Sequence, residues 1–132
     1  MKLYGIGTDI IKVSRIKDAL KKKTFLSRIY NVTEITKCKK TKKSIGCFAK
    51  RFAAKEAFSK ALGTGIAKGI SFNQIIINNE KNGKPLIKLV GDTKKTVEKK
   101  LKKKRYKIIL SLTDEDKYAV AFVTILIWKE KN

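Results

Sequence analysis

At 132 residues and 42% apolar content, the chain has the size of one compact domain with a core of its own. Its net charge is +22 and it contains no histidine, which excludes histidine-activated nucleophiles and histidine metal sites. No apolar run approaches a membrane span, and Met1 to Gly7 is interrupted by glycine too soon for a signal peptide, so the expectation is a single domain over residues 1–132 in the cytoplasm, or in a plastid-type organelle if a targeting segment has been trimmed.

Lys2 to Thr8 alternates around Leu3, Tyr4 and Ile6 and predicts a first strand, with Gly5 and Gly7 permitting close approach of another backbone. Asp9-Ile10-Ile11 is expected to end it, Asp9 serving as a turn residue or as the N-cap of the next helix. Val13, Ile16, Ala19 and Leu20 form a helical stripe. Phe25, Ile29 and Tyr30 suggest a further helical turn carrying Arg28, and Thr33-Glu34 opens another. Lys37 to Lys43 is expected to be a loop. Cys38 and Cys47 have neither a zinc spacing nor the density of a secreted scaffold and read as reduced thiols.

A long helix is predicted from Ser44, a candidate N-cap, to Leu62, with Gly63 just past its end. Ile45, Ala49, Phe52 and Glu56 share one stripe of it, which puts a carboxylate in line with an apolar face, where it needs a compensating cation or several donors. Lys55 and Lys60 flank it, and Glu56 with Lys60 has the favourable orientation of a surface i, i+4 pair. Phe48, Phe52 and Phe58 read as core. The cluster from Gly63 to Gly69 closes a helix instead of opening one, so it is a cap and turn and not a nucleotide-loop fingerprint, although its backbone N–H groups could approach a phosphate.

Phe72 to Asn78 predicts a strand, Asn82-Gly83 a hairpin turn, and Lys84 to Val90 the returning strand, with Pro85 at its beginning or edge. A charged helix from Asp92 to Lys104, a strand from Ile108 to Thr113, a turn at Asp114-Glu115-Asp116 and a long apolar strand from Tyr118 to Trp128 follow. A strand so apolar on both faces is central or covered by another subunit. This order implies an α+β fold, the long helix packed on a largely antiparallel sheet.

Gly5-Ile6-Gly7-Thr8-Asp9-Ile10-Ile11, then Arg51 to Ile66, then Asn82-Gly83-Lys84-Pro85 resemble the signature blocks of the bacterial-type holo-acyl-carrier-protein synthases, which are small 4'-phosphopantetheinyl transferases. The similarity runs over nearly the whole chain, in order. It implies the 4'-phosphopantetheinyl transferase fold and a homotrimer with active sites between subunits. The implied reaction transfers 4'-phosphopantetheine from coenzyme A to a serine of apo-acyl carrier protein, with Mg²⁺, releases adenosine 3',5'-bisphosphate, and serves fatty acid biosynthesis.

Position by position, the resemblance makes Asp9 and Glu56 the magnesium carboxylates, in keeping with an ion that takes one or two protein carboxylates plus phosphates and water. Lys60 matches the lysine near the reacting phosphate, and Arg51 and Lys55 are phosphate-binding candidates. Glu56 is expected to accept the serine proton, directly or through a water on the metal. Gly63 belongs to the matching block, Asn82, Gly83, Lys84 and Pro85 to a nucleotide-contacting turn across the subunit boundary, and Arg15 and Arg28 face the acidic carrier protein. Thr8 and Ser111 read as structural.

Ser111-Leu112-Thr113-Asp114-Glu115 departs from the family pattern, which has a histidine and hydroxyls there that help hold the 3'-phosphate of the nucleotide. Two carboxylates in that place imply weaker discrimination of coenzyme A from its dephospho form, or a lysine acting in place of the histidine. Lysine runs at 21–23, 39–43 and 102–105 admit a phosphate backbone, an acidic protein or the composition of an AT-rich genome. A basic nucleic-acid-binding protein is therefore one alternative, and an inactive synthase homologue that only binds carrier protein is another. The first leaves Asp9 and Glu56 without a role, and its basic runs lack the interleaved aromatics of a stacking platform.

Overall fold

A computed structural model describes residues 1–63 and 69–129, so Thr64, Gly65 and Ile66 of the family-like block lie outside the described residues. The chain runs β1 (Lys2–Lys12), α1 (Val13–Ala19), α2 (Lys23–Ile29), α3 (Val32–Lys40), α4 (Ser44–Leu62), a 3-10 turn (Phe72–Gln74), β2 (Ile75–Asn79), β3 (Pro85–Leu89), α5 (Gly91–Lys100), β4 (Arg105–Asp114) and β5 (Tyr118–Trp128). β5 is the central strand of an antiparallel sheet in the order β1-β5-β4, and β2 pairs with β3 in a separate hairpin. The expected α+β architecture is present, with the long helix on an antiparallel sheet. No helix among the described residues is long and apolar enough to cross a membrane.

The period-two pattern of β5 decides how the layers meet. Ala119, Ala121, Val123, Ile125 and Ile127 are buried and face α4, joined by Leu110 of β4 and Ile11 of β1. Ala49, Ala53, Ala57 and Ala61 of α4 are also buried, so small side chains line the helix side of the contact. Gly5 and Gly7 complete it. A Cβ on Gly5 would run into the carbonyl oxygen of Ala61, and one on Gly7 into that of Ala57. The close approach expected of these glycines is therefore made to the helix backbone. The opposite face of the sheet is open: Ile6, Ile10, Ile109 and Phe122 are 57%, 64%, 41% and 46% exposed.

Several boundaries differ from expectation. β1 does not stop before Asp9 but runs to Lys12, with Asp9 opposite Ala121, because pairing with the long β5 extends it. Asp9 is thus a strand residue, neither turn nor cap. Lys37 to Lys40 is helical, since Asn31 and Glu34 form a capping box that starts α3 early enough to include it. Ser44 is the first residue of α4, whose N-cap is Lys43 with no side-chain cap, while Gly63 caps the other end at φ 85°. Phe72 begins a 3-10 turn before β2, α5 ends at Lys100, and β4 starts at Arg105. Pro85 opens β3 as expected.

The cysteines correct the reading of reduced thiols: Cys38 of α3 and Cys47 of α4 form a disulfide, with Cα atoms 5.4 Å apart. Two helices folded back on each other bring together residues whose sequence spacing carries no such information.

Gly7→Ala should lower stability by about 1–3 kcal/mol through the forced separation of β1 from α4. Thermal and urea unfolding would measure it, and a wild-type midpoint would show that the strand is not held against the helix.

Candidate active site

Asp9 stands on the helix-facing side of β1, and the glycine-backed contact brings α4 alongside it. Lys60 Nζ donates to Asp9 Oδ1 at 3.1 Å and to the carbonyl oxygen of Thr8 at 3.0 Å. The ion pair of Lys60 is therefore made across the layers and not along the helix with Glu56. One turn before Lys60, Glu56 is half-buried; burial foremost, and then the charge of Asp9, raise its carboxyl pKa above the ordinary value, while Lys60 acts in the opposite sense. Asp9, Glu56 and Arg15 line a cavity of about 370 Å³ walled by Ile16, Phe25 and Phe52. On the other side of Phe52 and Glu56 lies a second cavity of about 430 Å³, which Arg28 also lines. Phe52, expected in the core, is the partition between them.

Lys55 does not have the phosphate-binding position expected of it. It is fully buried, and its Nζ donates to Glu34 Oε1 and to the carbonyl oxygens of Ile29 and Phe72, each at 2.7 Å. Burial pushes its pKa down to about 8, with Glu34 working against that shift. Three acceptors saturate an ammonium, so nothing remains for a ligand. Glu34 is equally buried; it also accepts from the backbone N–H groups of Asn31 and Ile77. Sequence reasoning misses Glu34 as a site-supporting residue, although the Asn31-x-x-Glu34 spacing of a capping box marks it.

Arg51 lies in a third cavity of about 470 Å³ whose lining sets Lys37, Lys42, Lys43 and Lys50 against Asp114, Glu115 and Asp116, with Asn79 beside them. It donates from Nη2 to Asn79 Oδ1 at 3.2 Å and from Nη1 to Cys47 Sγ at 3.2 Å, while its Nε is buried without a partner among the described residues. Burial lowers its pKa, Glu34 and Tyr30 opposing. Lys37, which donates to the same Asn79 oxygen at 2.6 Å, is lowered by burial and then by Arg51 and Lys50. An anion would ease the crowding of Arg51 and Lys37, while Lys50 already has Asp114 of the same cavity. Asn79 Nδ2 donates to the carbonyl oxygen of Gly83, which ties the turn of Asn82, Gly83, Lys84 and Pro85 to Arg51. Asp9, Glu56 and Lys60 thus converge in one place, Arg51 and the turn in another. Gly63 is exposed at the end of α4, and among the described residues nothing stands where a Cβ on it would point.

The sequence profile of the 4'-phosphopantetheinyl transferase superfamily matches residues 5–123. The chain belongs to that superfamily. It is 42% identical over 125 residues to a holo-[acyl-carrier-protein] synthase of Pelagibacter ubique, covering 95% of this chain and 98% of that one. Among solved structures it is similar to the holo-[acyl-carrier-protein] synthase of Neisseria meningitidis, with a TM-score of 0.84, 37% identity and coverage of 97% and 100% of the two chains. It is also similar to that of Helicobacter pylori solved in complex with coenzyme A, with a TM-score of 0.75, 33% identity and coverage of 92% and 99%.

In this transferase the divergent segment is part of β4 and the turn after it. Asp114 meets Lys50 at 3.5 Å and Asp116 meets Lys43 at 4.0 Å, so the carboxylates stand among lysines of α4 and its N-cap. The lysines that face Asp114 and Asp116 carry no motif, and only the fold shows them as neighbours.

Lys55→Met should cost about 3–5 kcal/mol, since it strands a buried carboxylate; a loss below about 1 kcal/mol in urea unfolding would mean the pair is dispensable. Glu56 holds its proton more tightly folded than unfolded. Its contribution is therefore complete below the ordinary carboxylate pKa and lost as pH rises through the raised value. Glu56→Gln, melted with chelator present, should exceed wild type in Tm at neutral pH and converge with it in acid. A pH-independent difference would contradict the shift.

Proposed function

We propose that this chain transfers 4'-phosphopantetheine from coenzyme A to a serine of apo-acyl carrier protein, in the cytoplasm and in support of fatty acid biosynthesis. The observation that carries the reading is the convergence of Asp9, Glu56 and Lys60 between β1 and α4, at the edge of a cavity that Arg15 shares. The serine Oγ attacks the phosphorus that bears pantetheine, and the bond from that phosphorus to the bridging oxygen breaks, releasing adenosine 3',5'-bisphosphate. Glu56, in the wall of the cavity that Arg15 shares, accepts the serine proton. Lys60 offsets negative charge on the departing phosphate and keeps Asp9 oriented. The nucleophile belongs to the partner, so a chain without histidine lacks nothing the chemistry needs.

Two carboxylates close enough to raise the proton affinity of one of them fit Mg²⁺, which takes oxygen ligands from one or two side chains. Asp9 and Glu56 would hold it. When bound, the ion supplies positive charge to the diphosphate oxygens. Arg15 and Arg28, on the two cavities beside Glu56, are placed to meet an acidic carrier protein, where steering raises the association rate and salt weakens it.

Arg51, Asn82, Gly83, Lys84 and Pro85 are assigned to the nucleotide of the donor, with Gly63 at the edge of the block. Because they stand apart from Asp9 and Glu56 within one chain, the site is completed by a second copy in a homotrimer. The open apolar sheet face at Ile6, Ile10 and Phe122 supports such an assembly. Around Asp114 the lysines, Lys50 foremost, stand in for the family's histidine at the 3'-phosphate.

Intact-mass spectrometry of apo-acyl carrier protein incubated with this chain, coenzyme A and Mg²⁺ should show the gain of one phosphopantetheine. Chelator and Glu56→Gln should each abolish the gain, and dephospho-coenzyme A should be a much poorer donor. No gain from a folded protein would favour the binding-only homologue, and equal use of the two donors would remove the lysine replacement.

A further inference from the structure

Part of the wall of the Arg51 cavity is sulfur. Cys47 lines it with 6% exposure, Cys38 behind it has none, and the bond between them joins α3 to α4. Arg51 stands one helical turn after Cys47, and its Nη1 donates to the Cys47 Sγ at 3.2 Å and to the carbonyl oxygen of the same residue at 3.4 Å. The guanidinium assigned to the donor's nucleotide therefore rests on a disulfide.

A disulfide sulfur is a weak and neutral acceptor, so it holds the guanidinium in place without using its charge. A thiolate in the same position is a different partner. Thiols beside arginine or lysine ionise more readily, and the cations of this cavity outnumber its carboxylates. Lys37 of α3 donates to Asn79, and Asp114 of β4 is taken up by Lys50, so the charged group in contact with the sulfur is Arg51. In the cytoplasm, where the chain is proposed to act, thiols are kept reduced and a disulfide is as a rule transient and either catalytic or redox-sensing.

We propose that the Cys38–Cys47 disulfide is a reversible switch on the phosphate affinity of the Arg51 cavity. Closed, it leaves the charge of the guanidinium free for the donor; opened, it gives that charge to the Cys47 thiolate. This rests on the assignment of Arg51 to the donor's nucleotide made above. A dithiol reductant meets Cys47 first, since Cys38 is wholly enclosed. Its thiolate bonds to Cys47 Sγ as the bond to Cys38 breaks, and Cys38 leaves with the electron pair and takes up a proton. The second sulfur of the reductant, as thiolate, then closes on the first and expels Cys47 as a thiolate beside Arg51. A pair of electrons passes to the protein, the reductant becomes a cyclic disulfide, and its thiol protons go to Cys38 and to solvent. Exchange with a small disulfide, run in the opposite direction, closes the bond again.

Adenosine 3',5'-bisphosphate is the probe for the test, because coenzyme A is itself a thiol. Calorimetry on the full chain would compare protein oxidised with hydroxyethyl disulfide and protein held in dithiothreitol, with alkylation and intact mass counting the free thiols in each. The oxidised protein should have none and the reduced protein two. Reduction should weaken bisphosphate binding about tenfold, the order of one hydrogen bond to a charged group. Cys38→Ser, whose Cys47 thiol is permanent, should bind weakly in both buffers. Cys47→Ser, which forms neither the disulfide nor the thiolate, should bind as the oxidised protein does in both. Equal affinity in the two redox states, with the thiols shown to have been converted, overturns the switch and leaves the assignment of Arg51 standing. Bisphosphate bound in neither state overturns that assignment and the switch with it. Equal weakening in the two serine variants overturns the part given to the thiolate. Should the variants not fold, wild type decides alone: thiols that stay free after oxidation, or a reduced protein that unfolds, also overturn the switch.

Discussion

A side chain on Gly5 or Gly7 would collide with the carbonyl oxygens of Ala61 and Ala57, so the first strand lies against the helix backbone itself. That contact fixes the rest. Once β1 and α4 are in backbone contact at two successive inward positions, the next inward position, Asp9, has only one place to be, beside the last turn of the helix, where Lys60 reaches it. Placing a carboxylate, a lysine and a second carboxylate together takes no long loop and no flexible segment. It takes two missing Cβ atoms and a row of alanines, and sites on such rigid elements hold their geometry more closely than sites on loops.

The helix that supplies Glu56 and Lys60 is held from its other side by a buried ion pair. Lys55 and Glu34 have no exposure, and each satisfies more than the other. Between them they engage the end of α2 at Ile29, the start of α3 at Asn31, the 3-10 turn at Phe72 and β2 at Ile77. A bare buried pair is weak evidence of stability, but one that also satisfies four backbone groups of different elements specifies how those elements meet. Adjacent residues of one helix thus have unrelated duties. Lys55 points inward and is structural, while Glu56, about 100° round the helix, reaches the cavities.

Much of this is legible in the sequence where one residue type permits one conformation or one period. The glycines of β1, the αL residue after α4, Pro85 at the head of β3 and the two-faced apolar pattern of a central strand are of that kind. Sequence reasoning fails where the deciding partner is distant. Asp9 reads as the end of a strand because nothing local says that β5 is long enough to pair beyond it. Lys55 resembles a phosphate ligand because its carboxylate is twenty-one residues away in sequence. Cys38 and Cys47 look unpaired because a helix-to-helix reversal, not a spacing, makes them neighbours. The site triad itself is found by resemblance, and the physical reason for it appears only with the layer contact.

The charge of the chain also gains an order that its composition lacks. Among the described residues the cations sort by company. Lys60 has Asp9, Lys50 has Asp114, and Lys55 has Glu34. Arg51 and Lys37 have no carboxylate partner among the described residues: both donate to the neutral oxygen of Asn79 and Arg51 also to Cys47, and burial lowers the proton affinity of both. A guanidinium that is nearly buried, with no partner for its Nε among the described residues, is a costly arrangement. An anion entering the cleft would offset that cost, which ties the proposed role of Arg51 to the energetics of the fold. Under the proposed reading the cleft is half of a binding site, in which Asp114, Glu115 and Asp116 stand beside the cations, and the lysine runs elsewhere on the surface need no ligand to account for them.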